Sequence, residues 1–506
     1  MTRLGILAFL ALALALSAGR AMAQADAGPA GSCGLLAKAA PADMTVDAVR
    51  PLDGGACRLE GRIDADVGVV LLLPDAKAWN GKLLTAGVGG QAGQVNEVEM
   101  RRALGRGYAA ASTDAGHKVA DTHWLLKSPR RAANYAWRAN HLLAIDAKAV
   151  VRAFYGAPLR RSIFVGCSGG GRQALTEVQR FPEDYDAVIA GAPGPKTPEM
   201  SARRMWEMVQ HTRFTGVLQQ ADWTRIAAEA VRRCDALDGL SDGVIEDPRR
   251  CTFRPRDMAC AHAAEAGCLT PDQVALAERV YAPLVDENGR RIDDGLLPGV
   301  PVSPALVPEP FTPGPAYLAS VLFGDGVHGD PQWDARQFRL ADDLPAIDRL
   351  MDLHADDPDI RKFTARGGKL ILFQGWADGL VSALPTVDYY EAVRAKLGAE
   401  AADGAVRLFM IPGMGHCVGG DATDRFGGVG KDGLPRDPGH DMLSALELWA
   451  DGGPAPERIV AAKMEGEAVV RTRPLCAYPK QARYAGGDAN DAASFACAAP
   501  PRSIGR

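Results

Sequence analysis

The sequence has no excess of charge of either sign and no block of basic residues. Its 57 Lys and Arg nearly balance its 62 Asp and Glu, and the net charge is −5. A chain with this balance has no electrostatic basis for binding nucleic acid. Beyond the N-terminus it lacks an apolar stretch long enough to span a bilayer. Its 47% hydrophobic and 24% charged residues also exclude collagen, a disordered chain and a polytopic membrane protein. We therefore expect a globular protein, with one large domain carrying an insertion or two to three smaller domains.

The N-terminus has the three parts of a secretory signal peptide. Arg3 supplies the positive charge, residues 4–18 form a short apolar run, and Ala21 and Ala23 are the small residues of a cleavage site. A membrane anchor is the alternative, but the run is too short for one, and no cysteine follows the cleavage site to carry a lipid. We therefore expect cleavage after Ala23 and a secreted or periplasmic protein, in a compartment where disulfides persist.

Predicted strands and helices alternate through most of the mature chain. The strands are predicted at residues 67–73, 82–85, 108–112, 162–165, 186–190, 369–373 and 406–411, and the helices at 135–154, 171–180, 387–397 and 440–450. This alternation predicts an α/β fold with a doubly wound, mostly parallel sheet that helices cover on both faces. The alternation stops at residues 196–365, which hold four cysteines and a proline-rich stretch. We therefore expect one α/β domain, formed by residues 24–195 and 366–506, with a lid-like insertion at 196–365.

A serine stands between a predicted strand and a predicted helix, in the run Gly166-Cys167-Ser168-Gly169-Gly170. The run fits G-x-S-x-G, in which a sharp turn from strand to helix exposes the serine hydroxyl and needs small neighbours. The N-terminus of the helix also directs backbone N–H groups towards a developing oxyanion. A glycine-rich turn that happens to contain serine is the alternative. The flanking elements favour Ser168 as a nucleophile.

An acid and a base follow Ser168 along the chain, in the order Ser, Asp, His that one class of hydrolases uses. Asp378 comes shortly after the strand predicted at 369–373. His416 lies in a glycine-rich loop after the strand predicted at 406–411. His440 is the main competitor for the base, but it opens a predicted helix, and a simple turn is the alternative for Asp378. The pattern predicts that His416 activates Ser168 and that Asp378 orients His416.

An oxyanion hole needs two hydrogen-bond donors near the nucleophile. One is predicted to be the backbone N–H of Gly169, the residue after the serine. The other is predicted in the glycine-rich loop 87–93, at Gly90, with Gly89 as the nearest alternative. A flexible turn without a catalytic role would have the same composition.

Two cysteines flank the predicted nucleophile and base. Cys167 precedes Ser168 and Cys417 follows His416, so a triad would bring these cysteines close enough for a disulfide. The runs Gly-Cys-Ser-Gly-Gly-Gly-Arg and Gly-Met-Gly-His-Cys together resemble the tannase and feruloyl esterase family of serine hydrolases. The likeness extends over most of the mature chain, through runs that begin at Trp79, Cys234, Thr472 and Phe495.

The resemblance implies an α/β-hydrolase fold with a lid and places the triad on Ser168, Asp378 and His416. It also implies a small-molecule substrate, an ester of an aromatic acid such as a gallate or a hydroxycinnamate. Sequence alone does not determine disulfide connectivity. The pairs that the resemblance implies are Cys33–Cys57, Cys167–Cys417, Cys234–Cys251, Cys260–Cys268 and Cys476–Cys497.

An acidic loop at residues 234–244 carries Asp235, Asp238 and Asp242 together with glycines. Its oxygen ligands suit a hard cation, although its spacing differs from that of an EF-hand, and a solvated turn is the alternative. The resemblance implies a structural calcium ion bound by these three aspartates and by the carbonyls of Leu240 and Val244. The ion would order the lid.

The substrate is less narrowly defined than the reaction. A feruloyl-type ester is the first expectation, and the alternatives are a tannase and a hydrolase of mono(2-hydroxyethyl) terephthalate. The resemblance to the terephthalate-ester hydrolases implies a lid arginine for the free carboxylate, and residues 314–318 offer no convincing counterpart. A binding protein with a hydrolase fold and no catalysis is the alternative from another class. The complete Ser, Asp and His set argues against that alternative.

Overall fold

A nine-stranded mixed sheet forms the centre of the protein. The structure is a computed structural model that describes residues 33–214, 217–262, 267–302 and 320–500. The predicted signal peptide, with its cleavage site after Ala23, lies outside the described residues, and so does the stretch 314–318.

The strands and helices have the following bounds. The strands are β1 (Met44–Pro51), β2 (Cys57–Ile63), β3 (Val67–Leu73), β4 (Lys82–Ala86), β5 (Ala109–Thr113), β6 (Arg161–Cys167), β7 (Ala187–Gly191), β8 (Leu284–Val285), β9 (Arg291–Asp293), β10 (Lys369–Gly375), β11 (Val406–Ile411), β12 (Arg458–Glu465), β13 (Ala468–Cys476), β14 (Gln481–Tyr484) and β15 (Phe495–Ala498). The helices are α1 (Glu97–Leu104), α2 (Pro129–Ala133), α3 (Ala139–Tyr155), α4 (Gly169–Arg180), α5 (Thr197–Arg213), α6 (Gln220–Cys234), α7 (Pro271–Tyr281), α8 (Leu340–Met351), α9 (Arg361–Ala365), α10 (Leu384–Leu397), α11 (Ala399–Ala405) and α12 (Met442–Ala450).

The strand order in the central sheet is β1-β2-β3-β5-β4-β6-β7-β10-β11. From β5 to β11 neighbouring strands are parallel. The first four strands in this order pair antiparallel. The sheet is therefore mostly parallel with an antiparallel edge, and the carboxyl ends of β6, β10 and β11 meet at one edge.

Helices cover both faces of the sheet, as the apolar runs predict. Every residue of β3 is buried, because its successive side chains point to opposite faces and both faces are covered. Leu71 packs in one core cluster with Leu143 and Val150 of α3. Its neighbour Leu72 packs in the other cluster with Leu446 of α12.

Several strands and the start of one long helix differ from the prediction. The predicted strands of the sheet include neither β1 nor β2, which pair at its edge and have alternating burial rather than a continuous apolar run. The helix predicted from residue 135 is preceded by α2 and a π-helical turn at Asn134–Arg138, and α3 continues directly from that turn.

The segment predicted as an insertion lies between β7 and β10. Among its described residues no strand joins the central sheet. This segment has its own core cluster, which includes Trp223, Ile226, Phe253 and Leu276. After α12 the chain ends in two antiparallel hairpins, β12–β13 and β14–β15.

All ten cysteines form disulfides, and the five pairs are those that the family resemblance implies. They are Cys33–Cys57, Cys167–Cys417, Cys234–Cys251, Cys260–Cys268 and Cys476–Cys497. Five disulfides fit a protein that works in an oxidising compartment. Within the described ranges, no helix combines the length and the apolar character needed to cross a bilayer.

Candidate active site

Ser168 lies in the sharp turn between β6 and α4. Its backbone has φ 61° and ψ −127°, a conformation that non-glycine residues rarely adopt. The Ser168 N–H donates a 2.9 Å hydrogen bond to the Gly191 carbonyl, which helps to hold the turn. A β-carbon added to Gly166 would lie 2.3 Å from the Gly170 carbonyl oxygen, so glycine is required there. This strained geometry presents a partly accessible serine at the edge of the sheet.

Asp378 lies in the loop after β10, and its carboxylate is completely buried. Oδ1 accepts hydrogen bonds from the backbone N–H groups of Leu380 and Val381, both at 2.9 Å. Oδ2 accepts a 3.0 Å hydrogen bond from Nε2 of Gln374. Hydrogen-bond donors therefore contact both oxygens of this carboxylate.

His416 lies in the loop after β11 and faces Asp378. Its Nδ1 is 2.8 Å from Oδ2 of Asp378, the separation of a charge-assisted hydrogen bond in which Nδ1–H donates. The His416 side chain is 21% exposed, so its other ring nitrogen can face a cleft. His440, the competing histidine, pairs instead with the exposed Asp437 just before α12.

The Cys167–Cys417 disulfide joins the serine loop to the histidine loop. The Cα atoms of the two cysteines are 6.0 Å apart, although 250 residues separate them along the chain. Ser168 and His416 are the direct neighbours of this bridge. The structure therefore brings all three predicted triad residues to one edge of the sheet.

The glycine-rich loop 87–93 lies against the start of α4. A β-carbon added to Gly169 would lie 3.3 Å from the backbone nitrogen of Gly90 and 3.1 Å from its carbonyl oxygen. The two residues predicted for the oxyanion hole are thus immediate neighbours. Gly89 is also close, since a β-carbon there would lie 3.7 Å from Cβ of Ser168.

Several side chains that sequence analysis did not identify hold these loops in place. The Tyr135 hydroxyl donates a 3.0 Å hydrogen bond to the Gly90 carbonyl. The Val88 N–H donates to Oε1 of Gln173, and Gln374 binds the Asp378 carboxylate. The one signal in the sequence was Gln374, a polar residue at the end of an otherwise apolar strand. Tyr135 and Gln173 lie on helices whose contacts only the fold defines.

The acidic loop folds as a compact turn with crowded negative charge. Asp235 accepts hydrogen bonds from the N–H groups of Asp242, Gly243 and Val244. Burial, followed by the charges of Asp242 and Asp235, raises the pKa of Asp238. Burial raises the pKa of nearby Glu246, a residue that sequence analysis missed, to about 8.

This donor set fits a hard cation in charge and in chemistry, because its ligands are oxygens and a cation would relieve their repulsion. The aspartates are not gathered around a central point, however, and Asp242 pairs with Arg473. Among the described residues, one group of acidic and histidine side chains brings three ligand atoms within 4.8 Å of one another. That group is not in this loop but consists of His141, Glu177 and Asp184.

The segment that follows the acidic loop packs against the candidate active site. Gly413 lies three residues before His416, and a β-carbon added to it would lie 3.3 Å from the side chain of Val244. The guanidinium of Arg249 lies 5.0 Å from the ring centre of Trp376, two residues before Asp378. The acidic loop is therefore linked by packing to the loops that carry the base and the acid.

Comparisons with known proteins identify the family of this chain. The family model described as "Tannase and feruloyl esterase" matches residues 54–309 and 327–498. An uncharacterized esterase from Xanthomonas campestris pv. campestris is 35% identical, with 88% of this chain and 85% of the relative covered. Mono(2-hydroxyethyl) terephthalate hydrolase from Piscinibacter sakaiensis is 32% identical, with 84% of this chain and 80% of that protein covered.

Among solved structures, feruloyl esterase B from Aspergillus oryzae has a TM-score of 0.84 and 27% identity to this chain. The match covers 92% of this chain and 98% of that one. The family match covers most of the chain, and the solved structure shares its fold over nearly the whole length. The chain therefore belongs to the tannase and feruloyl esterase family and is a carboxylic ester hydrolase with an α/β-hydrolase fold.

Proposed function

We propose that the protein hydrolyses esters of aromatic acids, with feruloyl-type esters preferred, by a Ser–His–Asp mechanism. The observation that carries this proposal is the 2.8 Å contact between His416 and Asp378. A disulfide joins the loop of His416 to the loop of Ser168. The names of the relatives support the substrate class, since feruloyl esterases and a terephthalate-ester hydrolase are among them.

The reaction proceeds in two acyl-transfer steps. His416 takes the hydroxyl proton of Ser168 as the oxygen attacks the ester carbonyl, and Asp378 stabilises the resulting imidazolium. The backbone N–H groups of Gly90 and Gly169 stabilise the oxyanion. His416 then gives its proton to the leaving alcohol. In the second step it activates the water that releases the aromatic acid.

Replacing the nucleophile tests this mechanism. The Ser168→Ala variant should lose about 10⁴-fold or more in kcat on methyl ferulate, because a triad acts as a unit. It should also lose labelling by a fluorophosphonate probe, which a non-catalytic binding protein would never show. Near-normal turnover by the variant would contradict the proposal. Comparing methyl ferulate, methyl gallate and mono(2-hydroxyethyl) terephthalate distinguishes the feruloyl-type assignment from its two alternatives.

We propose that the acidic loop binds a structural calcium ion through Asp235, Asp238, Asp242 and the carbonyls of Leu240 and Val244. The raised pKa of Asp238 supports a site that a cation would stabilise. A calcium chelator should lower the melting temperature of the wild-type protein and leave an Asp238→Asn variant unchanged. No shift in the wild type, together with no calcium in elemental analysis, would remove the site.

We propose that residues 196–365 form a lid that shapes the substrate site. The separate core of this segment and its two disulfides, Cys234–Cys251 and Cys260–Cys268, support an independent unit. Exchanging this segment for that of a tannase should change the order of preference among aromatic esters and leave probe labelling of Ser168 intact. An unchanged order of preference would contradict this assignment.

We also propose that the protein is exported and loses its first 23 residues. The five disulfides support an oxidising destination. N-terminal sequencing of the mature protein from the periplasm or the medium should begin at Gln24. Retention of Met1 in the mature protein would contradict it.

A further inference from the structure

A buried polar cluster lies at the end of α4 that is remote from Ser168. His141 comes from α3, Glu177 from the last turn of α4, and Asp184 from the connection to β7. One ligand atom from each side chain lies within 4.8 Å of the other two. Nδ1 of His141 is 2.6 Å from Oδ2 of Asp184. The proposed mechanism uses none of these residues.

Glu177 is the member of this cluster that the fold does not otherwise explain. The residue is 1% exposed, and neither carboxylate oxygen has a hydrogen-bond partner. A buried charged group without a partner costs several kcal/mol, so such groups usually pair or bind metals.

The surroundings supply little positive charge to balance the two carboxylates. Lys148 carries an ammonium group in this region, but its Nζ donates to the Glu183 carbonyl and lies 5.6 Å from the ring centre of Tyr185. The C-terminal end of α4 adds a partial negative charge, and the Glu177 carbonyl accepts the capping bond from Phe181. A cation at this point would be stabilised by both carboxylates and by the helix end.

We propose that His141, Glu177 and Asp184 bind a divalent transition-metal ion, with Zn²⁺ as the best match. Two carboxylates and one imidazole form a donor set that zinc accepts, with water as the fourth ligand. Calcium takes six to eight oxygen ligands, so it fits the cluster poorly. Zinc–ligand distances of about 2.0–2.2 Å place the donor atoms about 3–4 Å apart, within the spread of this cluster. The ion displaces the proton between Nδ1 of His141 and Asp184.

The ion has a structural role and does not touch the reacting atoms. Glu177 lies eight residues beyond the start of α4 at Gly169, which is about 12 Å along the helix axis. Metal binding therefore joins α3, α4 and the connection to β7 behind the nucleophile. It should raise thermal stability without changing the turnover of esters by Ser168.

Zinc titration of the full-length protein tests the proposal. The protein is first stripped with a chelator and then kept in excess calcium, so that the acidic loop does not contribute. The wild type should bind a single zinc ion in calorimetry. Zinc at a hundredfold excess over its dissociation constant should raise the melting temperature by about 3 °C or more. The Glu177→Gln and His141→Ala variants should lose both effects.

His440→Ala is the matched control, because His440 pairs with Asp437 but has no buried third ligand. This control should bind zinc as the wild type does. His141→Ala keeps the test decisive if Glu177→Gln does not fold, since the His141 side chain is 29% exposed. No zinc uptake by the wild type, or equal uptake by all variants, would overturn the proposal. The proposal would also be overturned by a Glu177→Gln variant that is more stable than the zinc-treated wild type. A proton shared between Glu177 and Asp184 would then explain the two buried carboxyl groups.

Discussion

The carboxylate of Asp378 receives four hydrogen bonds, two from the backbone, one from Gln374 and one from His416. Each oxygen of this buried side chain is therefore paired, as buried polar groups require. The contact with Asp378 also sets the tautomer of His416, because Nδ1 must carry a hydrogen in order to donate a hydrogen bond to the carboxylate. Nε2 is then free to accept the proton of the nucleophile.

Replacing Asp378 with Asn should therefore reverse the direction of the hydrogen bond to Nδ1 of His416 while keeping the shape of the side chain. The amide can donate to Nδ1, which favours the wrong tautomer of His416. We expect kcat on methyl ferulate to fall by about 10³–10⁴-fold, with little change in KM. Asp437→Asn, which alters the partner of His440, is the matched control and should keep wild-type turnover. A loss below tenfold for Asp378→Asn would exclude Asp378 as the acid.

A second prediction at this scale concerns Tyr135, whose hydroxyl donates to the Gly90 carbonyl. Tyr135→Phe removes one hydrogen bond, worth about 1 kcal/mol, from the loop that is proposed to hold the oxyanion. We expect kcat to fall about fivefold while KM stays near its wild-type value. Tyr155→Phe removes a similar bond to the Pro74 carbonyl and should leave kcat unchanged. Equal kinetic effects of the two variants would show that Tyr135 acts only on stability.

At the scale of elements, three strands of the sheet present the three loops of the site. Parallel strands end at the same edge, so β6, β10 and β11 place Ser168, Asp378 and His416 there. The Cys167–Cys417 disulfide then links the outer two of these three loops directly. The end of the acidic loop packs against the loop of His416 through Val244, and the segment after it packs against the loop of Asp378 through Arg249.

Removing the Cys167–Cys417 bridge should affect catalysis more than secondary structure. The double variant Cys167→Ala with Cys417→Ala should lose at least about tenfold in kcat, because a shift of about 1 Å in a catalytic group is costly. Its far-UV circular dichroism should match that of the wild type. The control variant, Cys260→Ala with Cys268→Ala, lacks a bridge within the insertion and should keep kcat. Unchanged kcat in the first variant would mean that packing alone positions the loops.

For the whole molecule, a short bridge joins the start of the segment predicted as an insertion, residues 196–365, to a residue near its end. Lys196 and His354 pair as in an antiparallel sheet, and the Ala355 N–H donates to the Pro195 carbonyl. Nε2 of His354 is also 3.0 Å from a carboxylate oxygen of Glu199 in α5. The hydrogen bond to Glu199 raises the pKa of His354, although burial opposes this shift.

This pair should make the stability of the protein depend on pH. A histidine with a raised folded-state pKa stabilises the fold fully below its ordinary pKa, and the contribution is lost as the pH rises through the folded-state value. His354→Asn should therefore lower the melting temperature at pH 5.5 and have a smaller effect at pH 9. Because the two side chains are partly exposed, we expect a free-energy difference of only about 0.5–1 kcal/mol.

Thermal unfolding of both proteins at the two pH values measures this difference. The exposed His262 lies outside this bridge and serves as the control. The His262→Asn variant should have the melting temperature of the wild type at both pH values. An equal loss of stability at pH 5.5 and pH 9 would show that His354 contributes only by packing.

Much of the fold follows from local patterns in the sequence. The bounds of β3 and β11 match the prediction, and β4, β7 and β10 differ from it by two residues or fewer at each end, because continuous apolar runs define buried strands. The strands β1 and β2 escaped prediction because they form a half-exposed antiparallel edge. Tyr135 and Gln173 could not be assigned to the site, because the loop they contact is distant along the chain.

The sequence alone determined the class of fold and the positions of the nucleophile, acid and base candidates, because each follows a strand in a characteristic turn. Tertiary structure decided the contacts between residues that are distant along the chain. It set the contact of His416 with Asp378, the ties that hold the Gly90 loop and the buried cluster of His141, Glu177 and Asp184. The physical reason is that turns and strands are local, whereas the pairing and burial of polar groups depend on which faces the fold brings together.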